Sequence, residues 1–222
     1  QDKGGKIICV KHSHNILIEN GIIPWGCVIL DPRPFKGKST HGIVRKELLK
    51  NPHPDTHYFV ASMTNIEVTK YLQKKKANIV GWHAYTGALL DLPELQGHQL
   101  ITGGTCSAMR SVGVMHTLGF RVFHIFGMDC SADGIPEDAE ETDLYGKKKW
   151  IKTGILNEDT NEEHIFYTTG ELLALAQDFE NLLNKEGTDM DLHIYGRGMV
   201  PTIFTTSNYK NVPLFKGIPY NE

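Results

Sequence analysis

Cysteine is scarce in this 222-residue chain: only Cys9, Cys27, Cys106 and Cys130 occur, each on its own. Without a Cys-x-x-Cys pair there is no dithiol redox motif and no cysteine-built zinc site, so buried free thiols are expected. An excess of either charge is also missing. Lysine and arginine number 23 against 26 aspartates and glutamates, giving a formal net charge of −3 and a pI near 6.4. That balance gives the chain as a whole no electrostatic reason to hold nucleic acid or an anionic membrane, although it is compatible with a local basic patch. No run approaches the roughly 18 apolar residues of a membrane span, and no basic-then-apolar leader opens the sequence. A cytoplasmic protein without a membrane span is therefore expected. Because the chain starts at Gln1 and enters a strand-like run almost at once, a trimmed N-terminus is expected too.

What is present is the composition of a soluble globular protein: 40% hydrophobic and 22% charged residues, with 22 glycines and 10 prolines. The length suits one α/β domain with a real core, and a single domain over residues 1–222 is expected. Short β-branched runs at residues 6–10 (KIICV), 27–30 (CVIL), 58–61 (YFVA), 78–82 (NIVGW), 122–126 (VFHIF) and 192–195 (LHIY) read as strands covered on both faces. Helical patterns alternate with them at 14–20, 66–75, 107–118 and 171–185. In the last of these Leu172, Leu175, Ala176, Phe179, Leu182 and Leu183 keep the 3.6-residue period, and Gly187 supplies a stop. Alternation of this kind predicts βαβ units in a Rossmann-like, doubly wound, mostly parallel sheet. Residues 133–161 break the pattern with an acidic cluster followed by Lys147–Lys149, and read as a lid or insertion.

Open α/β sheets bind ligands beyond the carboxyl ends of their strands, so polar residues there carry most weight. The run 31–34 (DPRP) follows a strand and places the Asp31 carboxylate and a guanidinium in a turn held by prolines. Gly103-Gly104-Thr105-Cys106-Ser107 opens a helix. Its glycines would let backbone approach a phosphate, with Thr105, Ser107 and the first-turn N–H groups as donors, although the same residues also make an ordinary N-cap. It lacks the lysine and spacings of a Walker loop and is not a GxGxxG fingerprint. Asp129 ends the run 122–126 through Gly127-Met128, followed by Ser131; such a carboxylate suits Mg²⁺, an amino heterocycle, or simply a turn. Trp82 and His83 end another strand and offer an aromatic face and an imidazole to an acceptor.

The segment GGTCSAMRSVGVMHTLGFRVFHIFGMDCSADG at 103–134 resembles the signature of the MptE-like family of 6-hydroxymethylpterin diphosphokinases and motility accessory factors. Its Gly-Gly-Thr loop, helix ending Leu-Gly, strand and Gly-Met-Asp follow in the family's order. The opening KIICVKHSHNILIENGIIPWGCVILDPRP resembles the family's first helix and its strand ending in Asp-Pro, and DLHIYGRGMVP resembles its closing tail. Two features depart from the family: its additional first strand, ending Gly-Pro-Ser, lies ahead of where this chain begins, and its usual Asn-Gly stands here as Lys11-His12. More distantly the pattern is similar to the bacterial sialyltransferases.

The resemblance implies that Gly103, Gly104 and Thr105 meet nucleotide phosphates, that Asp31 lies near the nucleotide with Lys11 as a point charge, and that Asp129 faces Mg²⁺ or the acceptor. His164 stands roughly where the sialyltransferases keep a catalytic base. The leading expectation is diphosphate transfer from a nucleoside triphosphate to a small hydroxyl acceptor. Glycosyl transfer from a nucleotide sugar to a glycan acceptor, and nucleotide binding without catalysis, are the alternatives.

Overall fold

The computed structural model describes residues 4–37, 44, 46–86, 92–132, 134, 150–157, 161–186 and 189–206. The chain divides into two compact units, Gln1–Thr117 and Leu118–Glu222. In the first, β1 (Ile8–Val10), β2 (Gly26–Ile29), β3 (His57–Ala61), β4 (Asn78–Ala84) and β5 (Leu100–Ile101) form a parallel sheet in consecutive order. The helices between them are α1 (Lys11–Glu19), α2 (Ile66–Lys74) and α3 (Ser107–Thr117). Parallel strands flanked by helices make this an α/β, Rossmann-like fold.

Register explains the core. Cys9, Cys27 and Tyr58 lie side by side across β1, β2 and β3, and with Ile29 and Val60 they present one apolar face. Val68 and Leu72 of α2 and Leu49 of a short 3-10 turn, Lys46–Leu49, close over that face. The alternate residues Val10, Val28 and Phe59 point the other way; Val28 is fully buried, and α3 runs alongside β1, β2 and β5. Both faces of β2 and β3 are thus covered, as their continuous hydrophobicity predicts.

One polar pair sits inside this core. The His14 Nε2 atom is 2.8 Å from the Tyr58 hydroxyl, which accepts the His53 backbone N–H at 2.7 Å. Burial raises Tyr58 to about 12 and lowers His14, so both stay neutral. The consistent assignment has the tyrosine O–H donating to Nε2 and the Nδ1–H donating to Asn15 Oδ1 at 3.0 Å.

In the second unit β6 (Val122–Phe126) and β9 (Asp191–Tyr195) pair in parallel. A separate antiparallel ribbon joins β7 (Trp150–Asn157) to β8 (Glu162–Thr169). Two helices, α4 (Gly170–Glu186) and α5 (Met199–Thr206), bring Phe179 and Phe204 to 6.5 Å. Leu192 and Ile194 are buried on β9.

The predicted strands and helices fall where expected, with ends moved by a few residues; α1 starts at Lys11, three residues before the pattern suggested. Of the segment expected to form a lid, residues 133, 135–149 and 158–160 lie outside the described residues, including the acidic cluster. Its described part, β7, is a regular strand. The ribbon was not legible because the outer half of β8 is exposed and so carries no apolar alternation. No helix among the described residues is long and apolar enough to cross a membrane.

Gly113 offers a sharp test of the α3 packing. Alanine in mid-helix ordinarily gains about 1 kcal/mol over glycine. Here an added Cβ would lie 2.4 Å from the Thr102 carbonyl oxygen, a backbone atom. Gly113→Ala is therefore expected to destabilise the first unit by about 1–3 kcal/mol in urea unfolding, reversing the sign that propensity alone gives.

Candidate functional site

All five strands of the first unit run parallel, so their carboxyl ends share one edge, and the residues leaving that edge are the candidate site. At its centre Asp31, just beyond β2, is buried. Its carboxylate accepts Arg33 Nε and Nη2 at 2.8 Å each, the Arg33 backbone N–H at 3.1 Å, and the Lys11 ammonium. Burial pushes this carboxyl upward, but the Arg33 and Lys11 hydrogen bonds outweigh it and hold it at about 2. A carboxylate so acidic is a fixed charge at neutral pH and a poor proton acceptor. Lys11 is buried against it, whereas the Arg33 guanidinium stays partly open to solvent. Two cations share this one carboxylate, and Arg33 is the more exposed of them.

The next strand end is tied to the same point. The Asn65 N–H donates to the Asp31 carbonyl at 2.9 Å, and Asn65 caps α2 by accepting from the Glu67 N–H at 3.0 Å. Farther along the edge, Gly103 and Gly104 adopt φ of +123° and +77°. A Cβ on Gly103 would meet the Met109 carbonyl oxygen at 2.9 Å, and one on Gly104 the Met109 methyl at 2.2 Å. The double glycine thus lets the loop lie on the first turns of α3. Arg110, buried on that helix, donates to the carbonyls of Ile101, at 2.5 Å, and Tyr85, at 2.9 Å, so it clamps the ends of β5 and β4 together. Sequence reading missed this arginine; only its place on the apolar face of a short helix hinted at it.

Trp82 and His83 close β4 from opposite faces of the strand. Trp82 Nε1 and His83 Nδ1 are buried and make no hydrogen bond among the described residues. The His83 ring instead meets His98 edge-on at 5.0 Å. Orphaned buried polar atoms are uncommon and call for a partner.

In the second unit Asp129 accepts the Gly198 N–H on Oδ1 at 3.1 Å, and Ser131 Oγ accepts the Met199 N–H at 2.9 Å, so both residues hold the start of α5. Gly196 and Gly198 are glycines because Asp129 presses on them: added Cβ atoms would lie 2.4 and 2.3 Å from its side chain. His164 is exposed on β8, and its side chain forms no hydrogen bond or ion pair among the described residues. Tyr167, three residues on, bridges Ala132, which puts His164 about 10 Å farther out along the strand than the Ser131 segment. Asp129 and Ser131 are brought together; His164 is not brought to them.

Asp31 does not suit a divalent cation, since both its oxygens are taken by cationic donors. Asp129 is half-buried with one oxygen free of hydrogen bonds among the described residues. No three His, Cys, Asp or Glu side chains converge among the described residues. A cation at Asp129 would draw its other ligands from substrate phosphates and water, as Mg²⁺ commonly does.

The depressed Asp31 carboxyl predicts a pH window. Its folded value lies below the unfolded one, so the stability it contributes is complete above about pH 4 and is lost as pH falls through about 2. Asp31→Asn, which leaves the Lys11 ammonium buried without its partner, is expected to cost about 3 kcal/mol at pH 7. In urea unfolding at several pH values, the gap between wild type and variant should narrow between pH 4 and 2. A constant gap would show that the carboxylate is not held as an ion.

A comparison with curated proteins finds no match, and none is found among solved structures. A comparison with protein-family models matches residues 2–134 to the family described as 6-hydroxymethylpterin diphosphokinase MptE-like. The matched segment contains the carboxyl edge built around Asp31 and the Gly103-Gly104 loop, together with Asp129 and Ser131, and excludes His164. With more than half of its length matched, the chain belongs to the MptE-like family.

Proposed function

We propose that this chain is a nucleotide-dependent transferase that moves diphosphate from a nucleoside triphosphate to the hydroxyl of a small acceptor. Membership of a family described by a diphosphokinase carries the reading, because the matched residues include the whole carboxyl edge of the first unit. In the reaction the acceptor oxygen bonds to the β-phosphorus as the bond between the β-phosphorus and the bridging oxygen of the α-phosphate breaks. The acceptor diphosphate and a nucleoside monophosphate result, and the hydroxyl proton is released.

The side chains divide the work by their environments. Arg33, the accessible cation of the cluster, meets a phosphate; Lys11 is committed to Asp31 and positions it. Thr105, Ser107 and the first-turn N–H groups of α3, which follow Gly103 and Gly104, receive phosphate oxygens and stabilise charge developing there. Of the two buried nitrogens without a hydrogen bond among the described residues, His83 Nδ1 is proposed to meet the acceptor, whereas Trp82 Nε1, a donor only, lies on the opposite face of β4; within the second unit Ser131 is proposed as an acceptor contact. Mg²⁺ would neutralise the triphosphate; within the second unit, Asp129 is the carboxylate proposed to hold a cation.

A second reading, nucleotide binding without turnover, is favoured by one observation. Lys11 and the double glycine, which stand in the expected phosphate positions, are already engaged by Asp31 and Met109. Glycosyl transfer has less to rest on, since His164 has no partner among the described residues to orient it as a base.

Thermal unfolding with ATP, GTP, CTP, CMP and CMP-sialic acid, each with and without Mg²⁺, separates the three. Diphosphate transfer predicts a Mg²⁺-dependent stabilisation by a triphosphate, about 2.7 kcal/mol at a hundredfold excess over Kd. Arg33→Ala should weaken that binding at least tenfold, and monophosphate should form once an acceptor such as 6-hydroxymethylpterin is added. Stabilisation without turnover over any acceptor supports the second reading. Metal-independent stabilisation by CMP or its sugar supports glycosyl transfer, and no stabilisation by any of them rejects a nucleotide site.

A further inference from the structure

A second group of cations lies away from the carboxyl edge. The helix α2 runs back from the carboxyl end of β3 to the start of β4, so its last turn lies toward the amino edge of the sheet. There Lys74 and Lys75 meet Lys46 of the 3-10 turn and Lys50 just after it around a pocket of about 420 Å³, also lined by Glu47 and Tyr71. The Tyr71 hydroxyl donates to the Leu49 and Lys50 carbonyls at 3.0 and 3.2 Å, fixing the ring as part of the pocket wall. Lys46 Nζ lies 4.8 Å and Lys75 Nζ 5.9 Å from the centroid of that ring.

A basic helix end explains part of this, because cations near a helix C-terminus complement its dipole. That accounts for Lys74 and Lys75 but not for two further lysines brought to the same pocket by another element. None of the four ammonium groups forms an ion pair among the described residues, and the only carboxylate lining the pocket is Glu47. Cation–π attraction to Tyr71 offsets only a little of their mutual repulsion at an exposed site. A ligand carrying three or four negative charges would offset much more. The local excess is pronounced against a chain whose formal net charge is −3.

We propose that this pocket binds a small oligophosphate, a chain of two or three phosphoryl groups, at a site separate from the carboxyl edge. The volume falls within the usual range for small-molecule sites, and lysine ammonium groups suit phosphate as adjustable point charges. The phosphate chain could be free or part of a nucleotide.

The test titrates the whole chain with inorganic tripolyphosphate at low ionic strength, without metal, by calorimetry. Three proteins are compared: wild type, Lys46→Gln/Lys75→Gln and Arg33→Ala. Both lysines are exposed, so the double variant should unfold at the wild-type temperature. The expected result is one saturable site that survives Arg33→Ala, weakens at least tenfold in the double variant, and loses affinity as salt is raised. Persistence in Arg33→Ala keeps this result independent of the proposed transferase site. ATP binding as well as tripolyphosphate would indicate that the phosphate chain alone is read, whereas tighter ATP binding at the same lysines would indicate a nucleotide. Unchanged affinity in the double variant, or no saturable binding to wild type, overturns the proposal. So does a single-stranded oligonucleotide that binds these lysines more than tenfold tighter than tripolyphosphate, since the site would then serve nucleic acid.

Discussion

The buried Asp31 carboxylate holds the carboxyl edge of the first unit together. Burying a carboxylate or an ammonium alone is costly, so each of these ions depends on the other. Lys11 has a second reason to need Asp31. It is the first residue of α1, where the helix dipole disfavours a cation, and no acidic residue lies in that first turn. Asp31 supplies the missing negative charge from the neighbouring strand. Its own carbonyl then accepts the Asn65 N–H, so β1, β2 and the turn into α2 are joined at one residue. Arg33 completes the carboxylate's hydrogen bonds while keeping a face toward solvent. A group that fixes the scaffold thereby holds a partly exposed guanidinium where a parallel sheet binds ligands.

The glycine motifs carry a similar double meaning. Gly103 and Gly104 permit a loop that rests on Met109, and Gly196 and Gly198 permit a turn pressed against Asp129. In both places the chain's own atoms fill the room that a Cβ would need. Packing and backbone conformation therefore favour glycine at these positions, whatever ligand the adjoining N–H groups meet. Asp129 and Ser131 likewise serve the fold, since their hydrogen bonds to Gly198 and Met199 start α5.

Much of the fold was legible because its strands are short and β-branched, with β2 buried on both faces at Cys27, Val28 and Ile29, and because α2 and α4 keep helical spacing; β4 and β6 are more exposed than their apolar runs suggest. The β7–β8 ribbon was hidden since exposure of residues such as Glu163 and His164 removes the apolar alternation. The site was legible at the level of strand ends, where Asp31 and the glycine loop stood out. Its wiring was not. That Lys11 pairs with Asp31 depends on the register of β1 with β2, and that Arg110 reaches two carbonyls depends on where α3 crosses. Trp82 and His83 read only as a strand-end aromatic pair; the structure shows their buried nitrogens unpaired among the described residues.

The most direct measurement is amide hydrogen exchange on the full chain, with and without a saturating nucleoside triphosphate and Mg²⁺. If the carboxyl edge organised by Asp31 is the ligand site, exchange should slow at residues 33–37 and 102–108, next to Arg33 and the glycine loop. Saturated binding that leaves exchange in both segments unchanged would contradict that placement.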